Sequence, residues 1–321
     1  MNPARNLLSA IEDLEISHPA YQELLALLRQ RVELAKENHT ARIEWIVGPS
    51  RVGKSMLINA LKRENAPTRV DGKLRVPLVV AEVPESVSPK HLPGCVLRGL
   101  GMPVPRGSLG DARSRMLDQL ERAETKVILF EEASHIVDVG TKVQSRSAGD
   151  FFKTLADKNI SLILFGVPRL RLLRQNEQLR LRSSTPREFN PYDCSVEAER
   201  TAFLACVNAY AKAFEKAGWK IDLAQDVLFN NCYLHTGGLV GVLSAFMREL
   251  AEQRLGDQPR TLSFQDCLAA ARRVEPAGDP RWQAFQTDGI KKPHLHRAYA
   301  QVLEDNLMPA PKGTAIAQET A

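Results

Sequence analysis

The stretch EWIVGPSRVGKSMLINAL, Glu44 to Leu61, limits what this chain can fold into more than any other. Ile43 to Val47 is an apolar run of strand length, Met56 to Leu61 reads as the start of a helix, and between them Gly48, Gly53, Lys54 and Ser55 fit G-x-x-x-x-G-K-[ST]. Strand, glycine-bearing turn and helix in that order predict a phosphate-binding loop. Glycines let the backbone curl around an anion, so that successive N–H groups and the helix N-terminus point at a β-phosphate. Lys54 is then placed to reach the β- and γ-phosphates, and Ser55 to offer its hydroxyl to Mg2+. The expected nucleotide-contacting segment is Gly48, Pro49, Ser50, Arg51, Val52, Gly53, Lys54, Ser55 and Met56, with ATP and Mg2+ as cofactors.

The order of elements after this loop predicts an α/β fold. Leu74 to Pro84 reads as a strand, Pro93 to Gly107 as Gly/Pro-rich punctuation and Ser108 to Glu124 as a helix. Lys126 to Ile136 carries the next strand, Ala148 to Asp157 a helix, Ile160 to Pro168 another strand, and Arg187 to Asn190 a short fifth. Such alternation builds a parallel sheet flanked by helices. From Ser195 the pattern turns wholly helical, with stops at Gly218, Gly256 and Pro276, which predicts a small helical lid. Beyond Pro276, Pro and Gly accumulate, and the last dozen residues have the composition of a disordered tail. The Leu24 to Leu34 stripe predicts a helix packed on the nucleotide domain. The expected division is an N-terminal helical extension (1–40), a nucleotide-binding domain (41–192), a lid (193–275) and a C-terminal extension (276–321).

Composition narrows the class further. With 321 residues, 44% hydrophobic and 25% charged, the chain has material for one large core and a smaller one. No apolar run approaches a membrane span, and Glu12, Asp13 and Glu15 interrupt the region where a signal peptide would be apolar, so a cytoplasmic protein is expected. Cys95, Cys194, Cys206, Cys232 and Cys267 contain no C-x-x-C pair, which argues against a zinc site or a disulfide framework. His294-x-His296 lacks further ligands at metal spacing. A net charge of +5 is compatible with a polyanionic partner but by itself selects none.

A second chemical motif is VILFEE, which puts Glu131 and Glu132 at the carboxyl end of a strand, where open α/β sheets place ligands. Glu131 is the candidate holder of Mg2+ and Glu132 the candidate that polarises an attacking water. The competing reading is two glutamates opening a solvated helix.

Taken together, GPSRVGKS, VILFEEASHI, ISLILFGVPRLRLLRQNEQLRLRS and the helical region resemble the TniB and TnsC family of AAA+ ATPases that regulate DNA transposition, with MuB more distant. The resemblance covers roughly Ile16 to Ala270 and implies an AAA+ P-loop NTPase with a five-stranded sheet and a lid. Three departures stand out. Glu131 occupies a position usually held by Asp; Val167 stands where a hydroxyl residue would sense the γ-phosphate; HTGGLVGVL lacks the arginine many AAA+ proteins carry there. By the Q-L-x-x-R match the resemblance makes Arg182, then Arg180, the expected arginine finger for a neighbouring subunit's ATP, which implies a homo-oligomer, a ring or a filament. It places DNA-contacting loops around the second motif, with Arg106, Arg113, Arg115, Lys142 and Arg146 as candidates for sequence-independent contact with double-stranded DNA. A transposase and a target-selection protein of the TniQ or TnsD type are the implied partners. The alternative is a helicase-loader or STAND-like ATPase acting mainly on a protein.

Overall fold

Ile43, Glu44, Trp45, Ile46 and Val47 are all buried, as a strand covered on both faces requires. In the computed structural model, which describes residues 3–12, 14, 18–138, 145–287 and 289–309, this strand, β1 (Ile43–Val47), lies inside a five-stranded parallel sheet. The other strands are β4 (Leu78–Glu82), β5 (Val127–Glu131), β6 (Ser161–Gly166) and β7 (Arg187–Glu188), in the order β4-β5-β6-β1-β7. The stretch read as one strand from Leu74 is two. A small antiparallel hairpin, β2 (Thr68–Val70) with β3 (Lys73–Arg75), precedes β4. Register runs Ile43↔Leu162 to Val47↔Gly166 between β1 and β6, and Ile46↔Arg187 between β1 and β7. The loop after β1 and the acidic pair after β5 therefore share the carboxyl edge, where crossover connections leave their ends.

The connecting helices are α2 (Pro19–Lys36), α3 (Lys54–Glu64), α4 (His91–Gly99), α5 (Leu109–Arg122), α6 (Ser145–Asp157) and α7 (Glu177–Arg182). Two differ from expectation. α3 starts two residues earlier than the apolar run suggests, at Lys54, and α4 occupies part of the stretch read as punctuation. Pro93 is the third residue of α4, in the first turn, where no intrahelical partner awaits its missing N–H. α5 starts from a capping box in which Ser108 Oγ accepts from the Asp111 N–H and Asp111 accepts from the Ser108 N–H. Phe130 on β5 meets Phe151 and Phe152 of α6 edge-to-face, with ring centroids 6.1 and 5.2 Å apart. These three rings, all in the sheet unit's core, back the strand end that carries Glu131. Glu44, on β1, is 2% exposed; Arg31 of α2 approaches it to 2.7 Å and Ser184 Oγ donates to it.

Contacts divide the chain into two units: Ala20–Ser50 with Lys54–Phe189, and the described residues of Met1–Pro19, Arg51–Gly53 and Asn190–Ala321. The second unit gathers α1 (Pro3–Glu12), α8 (Glu197–Lys216), α9 (Gln225–Thr236), α10 (Val240–Glu252), α11 (Phe264–Ala271) and α12 (Lys292–Asp305). It is not wholly helical: β8 (Lys220–Ile221) pairs in parallel with β9 (Thr261–Leu262). Its core joins Phe203, Trp219, Phe229, Tyr233 and Phe246 with Leu295, Tyr299 and Leu303 of α12, so the Pro/Gly-rich region past Pro276 ends in a packed helix. The last dozen residues lie outside the described ones. Among the described residues no helix is long and apolar enough to cross a membrane, and all five cysteines are free thiols.

Candidate functional site

The loop begins where β1 ends. The Gly48 N–H donates to the Gly166 carbonyl at 3.1 Å, tying the loop's first residue to the end of β6. Arg51 (φ 62°) and Gly53 (φ 115°) take left-handed conformations, which turn the chain sharply enough for α3 to start at Lys54. Such alternation of handedness aims successive backbone N–H groups into one concavity, the geometry of an anion nest. The Arg51 carbonyl accepts from the Gly241 N–H at 2.8 Å within the second unit. Lys54 is only 8% exposed, and its Nζ donates to the carbonyls of Gly48 (2.9 Å) and Pro49 (2.7 Å). Burial pushes its ammonium down to about 8, against the pull of Glu132 and Glu131, which favour the charged form.

Glu131 and Glu132 both lie close enough to act on that lysine, yet their surroundings differ. Ser55 Oγ, in the first turn of α3, donates to Glu131 Oε1 at 2.7 Å. Glu132 breaks from the strand with φ 53° and caps a 3-10 turn, Ala133–Val137. That turn is pinned by His135, whose Nδ1 donates to the Val83 carbonyl at 2.9 Å. Val167, at the end of β6, donates its N–H to Ser134 Oγ at 3.4 Å. Ser134 is fully buried and brings a hydroxyl beside Val167; sequence reading passed over it because it lies in a different motif. Oxygen donors at Ser55 and Glu131 suit Mg2+, which takes few protein ligands and fills its shell with water and phosphate oxygens. Among the described residues, no group of three or more His, Cys, Asp or Glu is placed to hold a metal ion. Backbone nest, buried ammonium, hydroxyl and two carboxylates thus fit a nucleotide triphosphate with its metal.

Arg180 and Arg182 lie on α7, which Asn176 caps by accepting from the Gln178 and Leu179 N–H groups at 3.1 and 3.3 Å. Buried Leu179 anchors the helix, while Leu181 is 74% exposed. Arg180 lies 3.8 Å from Glu177; Arg182 lies 3.3 Å from Asp157 and donates to the Gln178 carbonyl. Within the chain, among the described residues, neither arginine pairs with Glu131 or Glu132. Arg106 is exposed in the connection between α4 and α5. Arg113 and Arg115, two apart on α5, diverge: Arg113 is half-buried, with its Nε lacking a hydrogen-bond partner, and Arg115 is exposed. Arg146 is exposed in the first turn of α6, and Lys142 lies outside the described residues.

A parallel five-stranded sheet with this loop after β1 and an acidic pair at the end of β5, together with a separate helical unit, defines an AAA+ P-loop NTPase fold. Solved structures share it. The ORC2 protein of Aeropyrum pernix (ADPNP–ADP complexes) superposes with TM-score 0.60 at 12% identity, over 84% of this chain and 72% of that one. Cdc6p from Pyrobaculum aerophilum gives 0.60 at 13% over 97% and 88%, and the ORC1 protein of Aeropyrum pernix in complex with DNA gives 0.59 at 12% over 81% and 66%. At such identities the likeness shows the fold alone. The family comes from the sequence: residues 8–188, more than half the chain, match the model of the bacterial TniB protein, and the chain belongs to the TniB family. No curated protein matches it.

Proposed function

We propose that the protein is an ATP-hydrolysing, DNA-binding AAA+ regulator of transposition, which oligomerises on target DNA and recruits the transposase. The observation that carries the ATPase reading is the meeting of Lys54, Ser55, Glu131 and Glu132 at one edge of the sheet, with Ser55 bonded to Glu131 at 2.7 Å. Lys54 leaves its two loop carbonyls to grip the β- and γ-phosphates. Ser55 and Glu131 would hold a metal ion, which when bound would supply positive charge against the phosphate oxygens. Glu132 orients and polarises the attacking water, and Arg182 of a neighbouring copy, with Arg180 as second choice, neutralises the γ-phosphate in trans.

Membership of the TniB family supports transposition as the setting and DNA as the surface for assembly; the ORC1 protein that shares the fold was itself solved in complex with DNA. Arg106, Arg113, Arg115 and Arg146 are the described candidates for phosphate contact, and cytoplasm is the compartment this role implies. A transposase and a targeting protein of the TniQ or TnsD type complete the assembly. Glu132→Gln should retain ATP binding and lower turnover by at least about 10²-fold, since an amide cannot take a proton in the transition state. The same variant, sedimented with random-sequence duplex and ATP, should pellet with the DNA. Unchanged turnover would move the catalytic role elsewhere, and assembly indifferent to DNA would favour a protein-directed ATPase of the helicase-loader kind.

A further inference from the structure

The segment HTGGLVGVL, His235 to Leu243, joins α9 to α10 and carries three glycines and no arginine. Gly237 ends α9 in the left-handed conformation (φ 55°), and Gly238 (φ 87°) lies so close to Tyr192 that a Cβ would meet its carbonyl oxygen at 2.2 Å. The Tyr192 N–H donates to the Gly238 carbonyl at 3.0 Å, which fixes where α10 starts. The side chain of Leu239, the N-cap, cannot accept a hydrogen bond, and the first turn of α10 holds no acidic residue. Its N–H groups need other acceptors. Those of Val242 and Leu243 turn back to the Leu239 carbonyl at 3.2 Å, whereas that of Gly241 leaves the helix and donates to the Arg51 carbonyl at 2.8 Å.

α10 is therefore capped by a residue of the phosphate-binding loop. Arg51, Val52 and Gly53 group by their contacts with the second unit, so this bond lies within one unit. The close approach explains the glycine at 241. A Cβ there would lie 2.4 Å from the Arg51 oxygen and 3.0 Å from its carbonyl carbon and Cα. All three are backbone atoms, so the loop rather than a side chain would have to move. The consequence reaches the next residue. In a planar trans peptide the carbonyl and the following N–H point in opposite directions. A bond that draws the Arg51 carbonyl toward α10 thus holds the Val52 N–H turned away from α10. With left-handed Arg51 before it and left-handed Gly53 after it, that N–H belongs to the anion nest.

We infer that Gly241 is a positioning residue for ATP: its N–H sets the Arg51–Val52 peptide in the orientation that accepts phosphate and so ties nucleotide binding to the start of α10. The inference rests on the nucleotide reading above and gives HTGGLVGVL a role that needs no arginine. The tie works in both directions. A bond that favours bound phosphate must itself be favoured, by the same factor, when phosphate is bound.

The test compares wild type with Gly241→Ala and with Gly256→Ala, a control that puts a side chain on a left-handed residue (φ 96°) of the same unit with nothing within 4 Å. Titration with a fluorescent ATP analogue and Mg2+ should find Gly241→Ala weakened by about 10–100-fold, the worth of one amide-to-phosphate hydrogen bond, and Gly256→Ala unchanged. Urea midpoints without nucleotide should put Gly241→Ala no lower than Gly256→Ala, because alanine favours a helix, so the lost affinity is not lost folding. Hydrogen–deuterium exchange reads the tie in reverse. Saturating MgATP should slow exchange in the wild-type peptide 239–247 more than in α8 or α11, and should lose that selectivity in Gly241→Ala. Wild-type affinity in Gly241→Ala, an equal loss in Gly256→Ala, or wild-type exchange that ATP slows evenly across the unit overturns the inference and leaves the nucleotide site standing. If Gly241→Ala folds poorly, the wild-type exchange alone decides. A wild type that binds no ATP overturns both.

Discussion

Lys54 presents a trade of stability for function that can be measured. Its ammonium is buried, and burial lowers its pKa from 10.5 to about 8 even though two carbonyls and two nearby glutamates favour the charged form. A base whose folded pKa lies below its unfolded one destabilises the fold wherever it is protonated in both states, here below pH 8; the penalty fades as pH rises from about 8 to 10.5, where the unfolded chain binds the extra proton. The full shift corresponds to roughly 3 kcal/mol. Lys54→Met keeps the aliphatic stem and deletes the charge, so at pH 7 the nucleotide-free variant should be more stable than wild type by about 1–3 kcal/mol, the lower figure allowing for the two carbonyls left without a donor. ATP affinity should move the other way. Removing one member of a buried, hydrogen-bonded charge pair costs about 2–5 kcal/mol, which weakens binding by on the order of 10²–10³-fold. Urea denaturation in phosphate-free buffer at pH 7 and at pH 10, with calorimetric titration of MgATP, reads both quantities. The advantage of the variant should shrink at the higher pH. A nucleotide-free variant less stable than wild type at pH 7 would refute the electrostatic argument, and unchanged ATP affinity would refute the site.

Other perturbations test the parts that support this site. Phe152→Ala removes a fully buried ring from the cluster behind Glu131 and should cost about 3–5 kcal/mol in urea unfolding, with turnover falling more than ATP affinity. His235 is buried and neutral, its pKa lowered to about 4 by desolvation, so between pH 6.5 and 4 the unfolded chain takes up a proton that the folded one refuses. Stability should fall as pH drops through that window, and His235→Leu should flatten the fall in urea midpoints between pH 7 and pH 5; His18, shifted the same way, contributes to the slope that remains. Arg182→Ala breaks a surface pair with Asp157, worth at most about 1 kcal/mol, and a long hydrogen bond to the Gln178 carbonyl, and should leave the melting temperature nearly unchanged while lowering DNA-stimulated turnover by on the order of 10³-fold. Mixing it with Glu132→Gln should restore part of the activity, and co-assembly without recovery would exclude Arg182 as the finger.

What could be read in the sequence, and what could not, follows from how each element announces itself. β1 and the loop after it were legible because a parallel strand buried on both faces is a continuous apolar run and the loop needs its glycines at fixed places. The short β7 was legible too, as an extended piece near Arg187. α4 was not, because Pro93 and Gly94 read as breakers; in the first helical turn Pro disrupts no hydrogen bond, and Gly94 is tolerated inside the helix. α12 hid for the same reason, since Pro293 is its second residue and opens the helix rather than ending a segment. α9 shows no amphipathic stripe, because Leu228, Phe229, Asn231, Cys232, Tyr233, Leu234 and His235 are all buried, polar residues among them. β8 and β9 have two residues each, too few for any period to show. At the site, residue types were visible, but the Ser55–Glu131 bond and the proximity of Ser134 to Val167 depend on strand register, which residue types alone do not supply.

The substitution of Glu for Asp at position 131 gains a physical meaning from that register. Glu131 is the last residue of β5 and Ser55 the second of α3, and the carboxylate reaches the hydroxyl at 2.7 Å. An aspartate on the same backbone would end one methylene, about 1.5 Å, short of it. The longer side chain has more rotamers to lose, so it serves a metal only if something holds it in place, and the hydroxyl of Ser55 does so. Further constraint comes from behind, where Phe151 and Phe152 lock Phe130 and with it the end of the strand, and from in front, where the left-handed Glu132 turns the chain away at once. That conformation costs a non-glycine residue about 1–2 kcal/mol, and the His135 hydrogen bond to Val83 helps to offset it. Neighbouring glutamates are thereby set apart: Glu131 bonds to the hydroxyl of α3, whereas Glu132 makes no side-chain hydrogen bond to the turn it opens and acts on Lys54. The division of labour proposed here, Glu131 for a metal and Glu132 for water, thus rests on the kink between them and on an aromatic cluster behind the strand.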